Sequence, residues 1–338
     1  RELSLIKSMK DNNIDAMLLF HQESMYWLTG YDTFGYVFFQ CLVFTSTGQK
    51  ILLTRAADLR QAQNTSIIKD IRIWVDKDNS NPAEELKKIL LALDLEKKNI
   101  GIEYDTHGLT GKNTIMLNNS LHNFSHITDQ SLMIKKLRFI KSNQEIIYVK
   151  KAAELADKAL IKAWDLAHSG VDEAEILSAM QAEIFSGGGD YPGNEFIIGS
   201  GPDALLCRYF SGRRKLDPID QLTLEFAGVY RHYHSALMRT IPIGEPKKEH
   251  LELHRICLET LHACESKLLV GNTFSDVFEQ HKLTIDKTKY KSARLNACGY
   301  SLGETFSPSW MDWPMLYDKN PVIIKKNNVI FMHMILMH

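Results

Sequence analysis

Apolar residues recur with two different periods along the first part of the chain, and the switching between them predicts an alternating α/β order. Short β-branched runs at 16–20, 37–45, 51–54, 71–75 and 100–103 read as strands, whereas 56–64 and 81–95 carry the wider spacing of helices. Pro82 needs no hydrogen-bond partner in a first helical turn, and Glu84 and Glu85 suit the positive end of the helix dipole, so a helix start is expected there. No phosphate-cradling glycine loop follows any of these strands.

A basic stretch at 135–142 leads into Ser142-Asn143-Gln144-Glu145, a capping box in which serine and glutamate satisfy each other's backbone donors. The long helix it opens runs to His168, before Ser169-Gly170. A second helix starts at Asp172-Glu173 and ends in Gly187-Gly188-Gly189. Strands are then expected at 195–199, 221–228 and 230–243, helices at 249–269 and 274–286, and strand-like pieces around 294–302 and 329–337. The pattern predicts a mixed α/β (α+β) chain with two domains, 1–137 and 138–338.

A length of 338 residues supports two cores. Lys plus Arg total 40 against 41 Asp plus Glu, so no basic field is present to hold a nucleic acid, and small molecules or copies of the chain are the expected partners. The five cysteines, at 41, 207, 257, 264 and 298, show no C-x-x-C pairing, and no apolar run approaches a membrane span. A soluble cytoplasmic protein is expected. The chain opens inside a helical pattern and stops on an apolar run, which predicts a piece of a longer protein.

Residues two apart on a strand share a face, which sorts the stretch 223–240. Thr223, Glu225 and Ala227 form one face, and His232, His234, Ala236 and Met238 another. Matching the two would bring a carboxylate near imidazoles. Glu225 lies between Leu224 and Phe226 in an apolar strand, and a buried carboxylate is costly without a partner or a task. It reads as a catalytic group or as half of an ion pair with Arg208 or Arg239.

Two motifs, G-x-Y-x-x-Y-x-S-x-x-x-R-T-x-x-x-G at 228–244 and G-Y-S-L-G at 299–303, resemble the creatinase, aminopeptidase P and prolidase family; M-Y-W-L-T-G-Y-D at 25–32 resembles its N-terminal domain. The resemblance implies a creatinase-like N-terminal α/β domain followed by a pita-bread catalytic domain. Metallopeptidases of that family hold two metal ions. Their register lays the first aspartate on Glu225, the second on Ala236 eleven residues later, the histidine on Tyr300 and a glutamate on His333; the last glutamate would lie beyond His338. A methyl group cannot ligate, and a neutral phenol is a poor ligand, so no metal and no cofactor is expected. The catalytic histidine of creatinase would fall at 206–208, where none stands.

The strings G-S-G-P-D-A-L-L-C-R-Y, L-E-F-A-G-V-Y-R-H-Y-H, A-C-G-Y-S-L-G-E-T-F and W-M-D-W-P most resemble the metal-free ectoine hydrolases of this family. That resemblance implies a cyclic amidine substrate, ectoine or hydroxyectoine, opened to N-acetyl-2,4-diaminobutyrate, with Glu225 at the nucleophile's position. An amidinium carbon bears positive charge, so a carboxylate can attract it and then attack it or deliver water. His234 is the first choice of proton donor, ahead of His232, His333 and Tyr300. Arg208 offers a two-point donor to a substrate carboxylate or an internal partner for Glu225 or Asp203. Trp310 and Trp313 read as faces for a delocalised cation or as a buried plug. In creatinase relatives the residues after the first strand reach the partner subunit's pocket, implying a homodimer with Tyr31, Asp32 and Phe34 in that role. The alternatives are a metal-dependent relative, either an Xaa-Pro peptidase or a dimethylsulfoniopropionate lyase, and a non-catalytic binding module of the same fold.

Overall fold

The computed structural model describes residues 1–206 and 213–338. The chain divides into two compact units, Arg1–Arg138 and Phe139–His338.

In the first unit the elements run α1 (Glu2–Asp11), β1 (Ala16–Leu19), α2 (Gln22–Thr29), β2 (Cys41–Thr45), β3 (Lys50–Arg55), α3 (Leu59–Thr65), β4 (Asp70–Trp74), α4 (Pro82–Ala92), β5 (Asn99–Ile102), α5 (Gly111–Leu121), β6 (His126–Asp129) and α6 (Ser131–Arg138). They form one sheet of order β4-β3-β2-β1-β5-β6, antiparallel at β1–β2 and β2–β3 and parallel elsewhere. Strand β1 is apolar throughout because both its faces are covered. Ala16 and Leu18 join Leu86, Leu90 and Leu117 on one side; Met17 and Leu19 join Leu5, Met9 and Met25 on the other. The helix expected from Pro82 is present, with the Asn81 side chain accepting from the Ala83 N–H. The strand expected at 37–45 starts later, at Cys41, because Gly35–Val37 form a 3₁₀ turn.

The second unit contains α7 (Asn143–Leu166), α8 (Glu173–Ser186), β7 (Ile197–Ser200), β8 (Asp220–Tyr230), β9 (Tyr233–Ile243), α9 (Lys248–Glu265), α10 (Phe274–Ile285), β10 (Ala297–Ser301), β11 (Asp312–Tyr317) and β12 (Ile330–Met332). The capping box opens α7: Ser142 Oγ accepts from the Glu145 N–H at 3.3 Å, and Glu145 Oε2 accepts from the Ser142 N–H at 2.6 Å. Two antiparallel sheets result, β7-β8-β9 and β11-β10-β12. Helices α7 and α8 pack on the first through Leu155, Ala159, Ile176, Met180, Leu224 and Phe226. The approach is close enough to need glycine, since a Cβ on Gly228 would sit 1.9 Å from the Ala152 carbonyl oxygen.

One element differs in a way that matters for the site. The strand expected at 230–243 begins only at Tyr233: Arg231 and His232, at φ of 54° and 62°, form a two-residue turn closing the β8–β9 hairpin. His232 therefore does not lie on the strand face of His234.

Candidate active site

The hairpin register pairs Glu225 with Met238, Ala227 with Ala236 and Val229 with His234. Directly opposed residues share a face, so Glu225 and His234 do point to the same side. His234 is nevertheless four residues along from the position opposite Glu225, about 13 Å at the ordinary strand rise. Arg239 opposes Leu224 and belongs to the other face, away from Glu225. Glu225 itself is half-buried, not sealed in the apolar interior that its neighbours implied. It stands at the edge of the core.

Strand β10 brings Tyr300 over this face. Its hydroxyl donates to Glu225 Oε1 at 3.5 Å and accepts from the Trp310 indole Nε1–H at 2.9 Å. Both rings are buried, with Phe331 edge-on to Tyr300 at 5.3 Å between centroids. His333, just past β12, has its ring centroid 5.7 Å from that of Tyr300, and its backbone N–H donates to the Cys298 carbonyl. Burial lowers the His333 pKa to about 4, so the ring is neutral at ordinary pH. Its Nδ1 has no hydrogen-bond partner among the described residues.

His234 is held on both sides. Nε2 accepts from the Gly193 N–H at 2.8 Å, and Nδ1 lies 2.7 Å from the His232 carbonyl and 3.0 Å from Thr305 Oγ1. An acceptor Nε2 and a carbonyl facing Nδ1 fix the neutral Nδ1–H tautomer. Complete burial lowers its pKa to about 4. Such a ring has no nitrogen open to a substrate, which removes the reason for ranking it first as proton donor. The imidazole of His232 stacks on Phe306 at 4.1 Å, while its backbone N–H donates to Asp190.

The other candidates separate. Trp310 sits with Tyr300, but Trp313 packs edge-on to Phe139 in a different apolar cluster and so does not line the same wall. Tyr31 is fully buried in the core of the N-terminal unit, where its hydroxyl donates to Gln40 and burial pushes its pKa up to about 12; it cannot reach into another subunit. The Asp32 backbone is tied to Thr65 and Gln61. Phe34 is 76% exposed, with Val37 and Phe38 exposed beside it. Arg208 lies outside the described residues. Sequence reading missed Gly193 and Asn194, which bond to His234 and to the Trp310 N–H; the run Gly187–Asn194 offered only a helix stop as its signal.

Of the four visible positions in the family's metal register, Glu225 and His333 carry ligand-type side chains, and Ala236 and Tyr300 do not. Ala236 presents a methyl group opposite another alanine, and the Tyr300 oxygen already bonds to Trp310 and Glu225. Among the described residues no group of three or more His, Cys, Asp or Glu is placed to hold an ion. At the positions present, one carboxylate and one imidazole are fewer donors than a pair of divalent cations takes. No helix among the described residues is long and apolar enough to cross a membrane.

Residues 148–337 match the model of metallopeptidase family M24, and residues 1–140 that of the creatinase/prolidase N-terminal domain. The chain is 24% identical to an ectoine hydrolase of Halomonas elongata over 89% of this chain and 79% of that protein. It is also 24% identical to an Xaa-Pro dipeptidase of Pyrococcus horikoshii, over 96% of this chain and 86% of that one. Among solved structures, an X-Pro aminopeptidase from Thermotoga maritima superposes with a TM-score of 0.83 at 19% identity, covering 98% of this chain and 88% of the other.

Proposed function

The chain belongs to metallopeptidase family M24 and carries a creatinase/prolidase N-terminal domain, and from that premise we propose that it is a metal-independent hydrolase that opens a small cyclic amidine, ectoine or hydroxyectoine. The observation that carries this reading is the contact of Glu225 with Tyr300, at positions where the family's peptidases would place an aspartate and a histidine as ligands. With Ala236 beside them the pair cannot share two ions, yet it retains a carboxylate and an acid for carbon–nitrogen cleavage. The 24% identity to an ectoine hydrolase supports the substrate class, and the equal identity to a dipeptidase makes peptide cleavage the reading to test against.

Glu225 attracts the amidinium and either attacks its central carbon or deprotonates a water that does. Tyr300 delivers a proton to the departing ring nitrogen, with neutral His333 behind it able to pass one on. A second copy of the chain completes the site through the exposed Phe34 loop, the one segment of the N-terminal trio free to project. Replacing Glu225 by Gln keeps shape and polarity but removes the charge. Turnover of ectoine should fall by three orders of magnitude or more while calorimetry still records substrate binding, as expected for loss of the attacking group or base. A variant that keeps most of its rate would make Glu225 structural.

A further inference from the structure

We propose that Trp310 is a positioning residue whose indole N–H holds the Tyr300 hydroxyl oxygen in place beside Glu225. The inference rests on the roles given above to Glu225 and Tyr300, and it reassigns Trp310 from a face for the substrate's cation to a part that holds the acid.

The direction of the Trp310 bond follows from chemistry without seeing hydrogens. An indole nitrogen can only donate. The Tyr300 oxygen stands 2.9 Å from Trp310 Nε1 and 3.5 Å from Glu225 Oε1. Trp310 must therefore fill a lone pair of the phenol, which keeps the phenolic hydrogen from pointing back at the indole. A freely turning hydroxyl would spend part of its time pointing at the indole; this one is restricted before substrate arrives, which narrows the search for the departing nitrogen.

Trp310 is itself anchored on several sides. It is 1% exposed, and its backbone N–H donates to Asn194 Oδ1 at 3.2 Å. Gly193 lies against the Ser309–Trp310 peptide so closely that a Cβ there would come within 2.8 Å of Trp310 N. The Gly193 N–H is pinned in turn by His234 Nε2. The neutral histidine thus has a place in the same scheme: it fixes the 193–194 strip, the strip fixes Trp310, and Trp310 fixes Tyr300. A ring this enclosed offers no face for a ligand.

The test replaces Trp310 by Phe and, through an unnatural amino acid, by benzothienylalanine, which keeps the indole shape but lacks the N–H. Both changes are also made on a Tyr300→Phe background. We expect each to lower kcat for ectoine roughly 10- to 100-fold with KM within about twofold, and to have no further effect once the Tyr300 hydroxyl is gone. A benzothienylalanine protein with undiminished kcat, or a loss of equal size with and without the hydroxyl, overturns the inference. Should the unaltered protein fail to turn over ectoine, the reaction reading falls and the geometry is read directly from the Trp310 indole resonance in ¹⁵N-labelled protein. Its displacement and faster hydrogen exchange in Tyr300→Phe support the inference, and an unchanged resonance refutes it.

Discussion

Removing one oxygen, by Tyr300→Phe, separates the catalytic from the structural role of this residue. The substitution deletes the donor to Glu225 and leaves the buried Trp310 N–H without its acceptor. An orphaned buried donor costs about 1–3 kcal/mol. For a unit of the size of residues 139–338 that is a fall in Tm of roughly 2–12 °C, readable by calorimetry. Loss of a positioned general acid costs about 10²–10⁴ in rate. The two effects are measured separately, since kcat is taken at a temperature where the variant is fully folded. A kcat within threefold of the parent's, at any stability, would refute the assignment of Tyr300 as the acid.

The buried histidines predict a pH dependence. His234, His281 and His333 all fall from 6.5 to about 4, with burial as the largest cause, so the unfolded chain takes up protons first as the medium is acidified. Each is worth roughly 3 kcal/mol, fully present above pH 6.5 and lost as the pH falls toward 4. Urea midpoints should drop over that window, and His281→Leu should flatten the drop; a midpoint independent of pH between 6.5 and 4.5 would contradict the burial argument. On the proposal that a second copy completes the site, Phe34→Asp should raise KM at least tenfold while leaving the melting temperature within about 2 °C, because the ring is mostly exposed. Unchanged KM would remove the loop from the site.

How much of this was legible in the sequence differs between fold and site. The capping box at Ser142, the helix start at Pro82 and the β8–β9 pairing were legible because their signals are local or periodic. Strand β6 was not, since His126–Asp129 has a single apolar residue and is held as a parallel edge of β5. The turn at Arg231–His232 escaped because no Asn-Gly or Gly-Gly pair announced its left-handed backbone, and that one turn misplaced His232. Period-2 alternation put Glu225 and His234 on one face correctly, yet it cannot report distance along a strand. It also cannot see that Gly193, Thr305 and the His232 carbonyl consume the His234 nitrogens. The partnership of Tyr300 with Trp310 joins β10 to the segment just before β11 through a side-chain hydrogen bond. Nothing in either segment's pattern encodes it.

The central claim is that Glu225 and Tyr300 open a cyclic amidine without a metal ion, and its most direct measurement is product formation by metal-stripped protein. Purified protein is treated with a strong chelator, shown by elemental analysis to hold less than a tenth of an equivalent of any transition metal, and incubated with ectoine under proton NMR. The account predicts N-acetyl-2,4-diaminobutyrate at the rate of untreated protein, and none from Glu225→Gln. Activity lost with the metal and restored by adding it back, or cleavage of Xaa-Pro dipeptides with ectoine untouched, would contradict it.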